Sequence, residues 1–415
     1  MEGTAEVIDT ACVIAGGGPA GLMLGYLLAR SGVDVVVVEK HGDFLRDFRG
    51  DTIHPSTLEV MHELGLLDEL LQLPHTKAPK LTAEIGGVHV TIADFSRLPV
   101  KSRFIAFLPQ WDFLNFLTQK ANQYPNFRLL MQAEVSEVIQ EGDRIEGLIV
   151  TTPEGQRVIR SHLVVGADGR NSTVRQKAGL EVEQFGVPTE VVWMKLTRSP
   201  EDPVEAMGHA GPRQGLVLIN RGDYWQCGLV VRRGTFAEMR NGSIQAFHQL
   251  VNEVSPLPAD RVREVRSFDD VSLLTVRIDR LKRWWRPGVL CIGDAAHAMS
   301  PIGGVGVNLA IQDAVAAANI LSRPLREGKL TDGDLAAVER RRSFPTKATQ
   351  KLQLMMRSSR RESEGDAKKR TGPPAFIRGI ARLPVLAHVA GRLIGLGFRR
   401  EHVRLGEHAV AHAPR

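Results

Sequence analysis

At 415 residues the chain exceeds what one hydrophobic core usually organises, so two structural units, or one with a large insertion, are expected. Hydrophobic residues at 43% and charged residues at 24% are ordinary for a globular protein and exclude a disordered chain. The formal charge of +6 hints at an acidic partner until it is located: 14 of the 53 Lys/Arg but only 5 of the 47 Asp/Glu fall in residues 351 to 415, so the basicity is the tail's and no nucleic-acid partner is expected.

Cys12, Cys227 and Cys291 stand singly, a pattern that argues against a zinc site and against disulfide redox chemistry and suits small core residues. No segment reads as a secretion signal or reaches the roughly 18 to 20 apolar residues of a membrane span, so a cytoplasmic protein is expected.

Residues 11 to 40, "ACVIAGGGPAGLMLGYLLARSGVDVVVVEK", read as a buried strand, a glycine turn, an amphipathic helix and a second all-apolar strand, the order of a parallel βαβ unit. Gly16-x-Gly18-x-x-Gly21 allows a tight turn and brings a pyrophosphate to bare N–H groups at the helix start. Glu39 ends the second strand, where a carboxylate accepts ribose hydroxyl bonds. Gly16, Gly18, Pro19, Ala20, Gly21, Glu39 and Lys40 are therefore candidate dinucleotide-binding residues. A helix follows in 51 to 71, with Leu58, Met61, Leu64 and Leu67 at helical spacing. Short alternating segments occupy 80 to 108, and "WDFLNFLTQKANQ" returns to helix.

Strands are expected at 128 to 139, 145 to 151, 157 to 160 and 162 to 166, the last running into "VVGADGRNSTVR". From 180 to 280 alternating runs such as "GLVLIN" and "YWQCGLVV" suggest an antiparallel sheet inserted into the first unit. "GVLCIGDAAHAMSPIGGVGVNLAIQDA" (288 to 314) then returns to the parallel unit and delivers Asp294 among glycines and small residues, ahead of a helix from Val305 to Leu321. A carboxylate there suits a chain of hydroxyl donors, which it binds through charge-assisted bonds. Capping a helix that begins at Ala295 is the plainer alternative.

"GGGPAGL", "VVGADGRNSTVR" and the 288 to 314 segment, in that order, resemble the three signatures of the FAD-dependent aromatic hydroxylases, the class A flavoprotein monooxygenases similar to para-hydroxybenzoate hydroxylase. The resemblance spans residues 10 to 345. It implies an α/β fold: a Rossmann-like FAD-binding domain (1-80, 105-180 and 281-355), an inserted antiparallel-sheet substrate domain (81-104 and 181-280) and a basic helical tail (356-415).

Residue by residue, the resemblance gives Glu39 the adenosine ribose, Asp168 and Gly169 a segment serving FAD and NAD(P)H, and Gly293 and Asp294 the ribityl chain. Arg49, in "FRGDTIHPSTLEVM", is similar to an arginine near the pyrophosphate, and Gln110, in "LPQWDFLNFL", to a residue reaching the ribityl or phosphate region. Pro301, Gly303 and Gly304 are placed at the flavin edge, with the backbone of Gly306, Val307 and Asn308 at the pyrimidine ring. Val305 departs from the Gln of many relatives, which removes a side-chain contact there.

The implied activity is hydroxylation of an aromatic or polycyclic substrate by O₂ through a flavin hydroperoxide, with NADH or NADPH as transient donor and no metal. Arg170 and Arg175 are candidates for its phosphate contacts. No side-chain base is assigned, and His54 and His297 read as structural. Trp193, Tyr224 and Trp225 are candidate substrate residues, since one face of the inserted sheet should cover the flavin. A flavin reductase without oxygen insertion, a quinone-pathway hydroxylase at a membrane surface and a flavin-binding regulatory protein are the alternatives. A halogenase is disfavoured by the lack of a WxWxIP-like segment. Residues 357 to 374 read as a linker, and 375 to 405 as a helical stretch interrupted by Pro384 and expected to pack on the protein rather than on a membrane. The oligomeric state is left open.

Overall fold

Alternation along the first strand decides the layering. In Glu6–Ala15, Cys12 and Ile14 face one way, Val13 and Ala15 the other, and all four are fully buried. A strand apolar on both faces needs cover on both sides, the condition of a parallel sheet. In the computed structural model, which describes residues 6–45, 52–85, 87–186, 189–202, 207–211, 214–365 and 384–404, this strand lies between Val35–Val38 and Gly155–Gly166, parallel to both. Phe127–Leu130 and Val289–Cys291 extend the sheet in parallel, and Trp285–Arg286 closes one edge antiparallel.

Helices Pro19–Arg30, Gln110–Ala121 and Val305–Arg326 cover the Cys12 and Ile14 face. The other face is covered by a flap of Glu134–Glu141 and Arg144–Thr152, antiparallel to one another, with Arg144–Thr152 also antiparallel to the first half of Gly155–Gly166. Two strand expectations change here. The run expected at 128 to 139 breaks near Gln132, whose φ of 53° takes it out of extended backbone, while 157 to 160 and 162 to 166 form one continuous strand.

The second sheet has seven strands in the order Ser272–Thr275, Thr189–Thr197, Tyr224–Arg232, Gly215–Asn220, Met207–Ala210, Lys80–Ile85, Val88–Asp94. Its pairings are antiparallel except that of Met207–Ala210 with Lys80–Ile85, which is parallel. That exception joins two distant pieces of chain, where no hairpin imposes reversal.

The two faces have different neighbours. Val192, Met194, Trp225 and Cys227 pack on three short helices, Thr235–Arg240, Ile244–Asn252 and Ala259–Val262. Val191, Trp193, Ile219 and Val230 turn the other way, toward the small sheet of Thr52–Ile53, Ile105–Phe107 and Thr76–Ala78 and toward Leu354 on the long helix Asp332–Gly365.

That long helix continues through "RSSRRESEG", so the linker expected from 357 does not begin there. Arg, Glu and Ser are compatible with a helix interior, and no Pro or Gly falls between Arg357 and Gly365 to stop it. Residues 366 to 383 and 405 to 415, including Arg378 and Arg382, lie outside the described residues. Ile302–Arg326 has the length and hydropathy of a membrane span, contrary to the sequence expectation, but 67% of its apolar window is buried inside the molecule. Cys12, Cys227 and Cys291 are free and buried.

Helix Pro384–Gly395 lies against strand Val88–Asp94 with almost no clearance: a Cβ on Gly391 would stand 2.1 Å from the Asp94 carbonyl oxygen. Gly391→Ala should therefore push the helix off the strand and destabilise the protein by about 1 to 3 kcal/mol, as overpacking does. Chemical denaturation measures this, and an unchanged midpoint would contradict the close packing.

Candidate functional site

The three sequence signatures meet at one helix start. Pro19, at the first position of Pro19–Arg30, has the backbone angle a helix needs and no N–H to leave unpaired. Gly16 has a φ of 102°, and a Cβ there would stand 2.5 Å from the Ala167 carbonyl oxygen and 2.8 Å from the Asp168 Cα, so only glycine lets the turn abut the second signature. Gly21 is equally confined, since its Cβ would fall 2.0 Å from the Gly16 carbonyl oxygen. The third signature closes the group, for a Cβ on Gly293 would stand 3.1 Å from the Ala20 Cβ. By contrast, a Cβ on Gly18, Gly169 or Gly306 would meet nothing within 4 Å, so open space lies beside these three backbones.

Glu39 is buried, and its carboxylate accepts bonds from the Gly17 N–H at 2.9 Å and the His41 N–H at 3.1 Å, tying the second strand to the glycine turn. Lys40 is exposed. Asp168 accepts from the Val174 N–H at 3.1 Å through Oδ2, while Oδ1 is buried without a hydrogen-bond partner. Burial raises its carboxyl above the usual range, against the opposing bonds from Ser172 and Val174. A buried orphan oxygen beside open backbone is what a hydroxyl- or amide-bearing ligand would satisfy.

Asp294 lies in the short turn Gly293–Ala295 and caps nothing, for the next long helix starts only at Val305, so the capping alternative fails. Its Oδ2 pairs with Arg170 Nη2 at 3.2 Å in a partly exposed position. Arg175, expected at a cofactor phosphate, is a structural residue instead. It is buried, donates to the carbonyls of Ala295 and Arg170, and lies 3.5 Å from the Asp279 carboxylate, so its guanidinium is occupied within the fold.

Past Asp294 the chain makes a turn at Pro301, with Gly303 and Gly304 at φ of 79° and 63°, and enters helix Val305–Arg326. The Asn308 side chain is fully engaged there. It accepts from the His54 N–H at 2.8 Å and the Thr57 hydroxyl at 2.7 Å, and donates to the carbonyls of Thr52 and Gly304. What Val307 and Asn308 offer a ligand is thus backbone. Gln110 is the first residue of Gln110–Ala121 and half-buried. Arg49 lies outside the described residues.

Of the candidate substrate residues, Trp193 and Tyr224 share the sheet face turned to the first unit, where the Lys195 ammonium sits 4.2 Å from the Tyr224 ring centre. Trp225 does not belong with them. It is buried against the short helices, and its indole N–H donates to Asp202 at 2.9 Å, so strand alternation turns it away from the first unit. Gln226, on the Trp193 face, is buried and accepts from Arg221 Nε at 2.9 Å.

Sequence reasoning missed the buried charges beneath this site. Asp313 is fully buried in Val305–Arg326, where Oδ2 accepts from the Gly293 N–H at 3.1 Å and contacts His297 Nε2 at 2.5 Å, and Oδ1 accepts from Arg342 Nε at 2.8 Å. Burial alone would raise its carboxyl, but the His297 ring and the Arg342 guanidinium outweigh that and hold it below the usual range. A lone Asp in the apolar run "NLAIQDAVAAA" was the available signal.

Comparison with known proteins agrees with the geometry. The sequence model of a family described as an FAD binding domain matches residues 9–351. The chain is 32% identical over 391 residues to 6-methylpretetramide 4-monooxygenase of Streptomyces rimosus, covering 94% of this chain and 93% of that one. It is 30% identical over 319 residues to rifampicin monooxygenase of Streptomyces venezuelae, covering 73% of this chain and 62% of that longer protein. Its fold matches the structure of OxyS, an anhydrotetracycline hydroxylase from Streptomyces rimosus, with a TM-score of 0.74 at 22% identity over 97% of this chain and 78% of that one.

His54 supplies a pH test of the site. Its ring is fully buried, with Nδ1 2.9 Å from the Ile394 carbonyl oxygen, and burial pushes its pKa down to about 4 against the pull of the Ile394 and Gly303 carbonyls. The unfolded ring titrates near 6.5, so the unfolded state holds more protons between these values and stability falls as pH drops through that window, by about 3 kcal/mol. Urea unfolding at pH 7 and pH 4.5 should show this loss, and His54→Asn should flatten it. An equal pH slope in the variant would place the titration elsewhere.

Proposed function

Because the chain belongs to the FAD binding domain family of FAD-dependent aromatic hydroxylases, we propose that it is a monooxygenase that hydroxylates a polycyclic aromatic substrate with O₂, drawing electrons from NADH or NADPH. The observation that carries this reading is the meeting of Gly16–Gly21, Ala167–Asp168 and Gly293–Asp294 at one helix start, beside open backbone and an orphan Asp168 oxygen. The polycyclic class rests on the similarity, over nearly the whole chain, to an enzyme named for 6-methylpretetramide.

The residues fit FAD. N–H groups at the start of Pro19–Arg30 would hold the pyrophosphate, Glu39 the adenosine ribose, Asp294 the ribityl chain and Gln110 the ribityl or phosphate region, while Asp168 and Gly169 would serve both FAD and NAD(P)H. Lys40 and Arg49 complete the set proposed around the dinucleotide. When bound, the flavin supplies hydride acceptance and oxygen activation, chemistry that side chains lack.

The chain's own part is binding, orientation and charge. Pro301, Gly303 and Gly304 would shape the flavin edge, and the backbone of Gly306, Val307 and Asn308 at the start of Val305–Arg326 presents a positive dipole that favours negative charge on the reduced ring. Trp193 and Tyr224 would line the substrate side and exclude water. No side-chain base is assigned. Arg170, ion-paired with Asp294, would supply a contact to the donor's phosphates.

The purified protein should be yellow, and acid precipitation should release FAD into the supernatant; flavin retained on the pellet would contradict noncovalent binding. Asp294→Ala should remove charge-assisted bonds worth about 1.5 to 3 kcal/mol and so weaken FAD at least ~10-fold in equilibrium dialysis, which an undiminished affinity would refute. Polycyclic phenols should accelerate flavin reduction by NAD(P)H and incorporate one atom of ¹⁸O₂. Turnover of an acceptor without oxygen and no label in the product would instead mark a reductase.

A further inference from the structure

Two hydrogen-bond lines run from the C-terminal segment to the two glycine turns assigned above to the flavin. The first begins at Glu401, which is almost fully buried. Its carboxylate accepts from Arg342 Nη1 at 3.1 Å, Arg342 Nε donates to Asp313 at 2.8 Å, and Asp313 accepts the Gly293 N–H at 3.1 Å, next to Asp294. The second begins at the Ile394 carbonyl, which faces His54 Nδ1 at 2.9 Å; the His54 N–H donates to Asn308, whose amide donates to the Gly304 carbonyl at 3.2 Å.

The segment after Ile394 is also pinned along its length. The Glu401 N–H donates to Gln312, the Val403 N–H to Glu63 at 2.8 Å and the Arg404 N–H to Asn319 at 2.8 Å. Gln312, Asp313 and Asn319 lie on Val305–Arg326, the helix whose start is assigned to the flavin ring.

We propose that residues 394 to 404 form a strap belonging to the FAD site, in which Glu401, acting through Arg342 and Asp313, is a positioning residue for the Gly293–Asp294 turn. The proposal rests on the assignment of FAD to those turns. The Gly293 N–H has one fixed acceptor, and that carboxylate is held by a cation whose other side is held by the strap. Loosening Glu401 lets the Arg342 guanidinium shift, Asp313 follows, and the turn carrying Asp294 loses its anchor. Linkage makes the effect reciprocal: if strap docking favours FAD, FAD favours strap docking.

The full-length apoprotein is titrated with FAD for wild type, Glu401→Gln, Asp313→Asn and the double variant, and amide hydrogen exchange of residues 396 to 404 is followed with and without FAD. Glu401→Gln should weaken FAD about 10-fold, a coupling typical of residues in one network, and the double variant should be no weaker than Asp313→Asn alone. FAD should slow exchange across the strap. Wild-type FAD affinity in Glu401→Gln with only a lowered melting temperature, or strap exchange indifferent to FAD, overturns the proposal. If Asp313→Asn fails to fold, Glu401→Gln and the exchange data decide. A wild-type protein that takes up no FAD overturns the flavin reading itself, and the strap's role with it.

Discussion

A carboxylate with no exposure to water has to be matched on every side, and Asp313 is matched by the Gly293 N–H and the His297 imidazole from one short segment and by the Arg342 guanidinium from the long helix. Transfer of such a charge from water is repaid only when geometry and extra hydrogen bonds are in place, and removing one partner of a buried pair costs about 3 to 5 kcal/mol. The glycine-rich turns above it have little apolar surface of their own to hold them. Among them the Gly293 N–H is held by the charge network, which makes Asp313 the fixed point of that turn.

The network also explains why the third signature can be so poor in side chains. Gly293, Gly303 and Gly304 carry no atoms beyond backbone, so their positions have to be imposed by neighbours: Asp313 for the first, Asn308 and Thr52 for the last, where the Thr52 hydroxyl donates to the Gly304 carbonyl at 3.0 Å. Polar side chains packed behind these turns do the holding, and open space lies beside the neighbouring backbone of Gly306.

The legible part of the sequence was the part where backbone demands are local. Gly16, Gly18 and Gly21 fall between an apolar strand and a helix start, and the all-apolar runs at 12 to 15 and 35 to 38 admit few readings besides strands covered on both sides. Less legible were features set by pairing at a distance. Arg342 and Asp313 are 29 residues apart on different helices, and each alone resembles one charge on a solvated face. Arg175 gave no sign that Asp279 and Ala295 would occupy it. Alternation separated Trp193 from Trp225 but did not say which face meets the first unit; the three short helices that claim Trp225 decide that.

The inserted sheet interleaves two tasks along single strands. In Thr189–Thr197 and Tyr224–Arg232, residues of one parity build the core against the short helices, and those of the other parity, Trp193, Lys195, Tyr224 and Gln226 among them, face the first unit. On the assignment of Trp193 and Tyr224 to the substrate side proposed above, structural burden and chemical choice would be carried by alternate codons of the same stretch of gene. A lineage could then alter the face turned to the first unit by drifting at every second position while its neighbours stay under selection for folding, and a single-residue insertion in either strand would exchange the two faces at once.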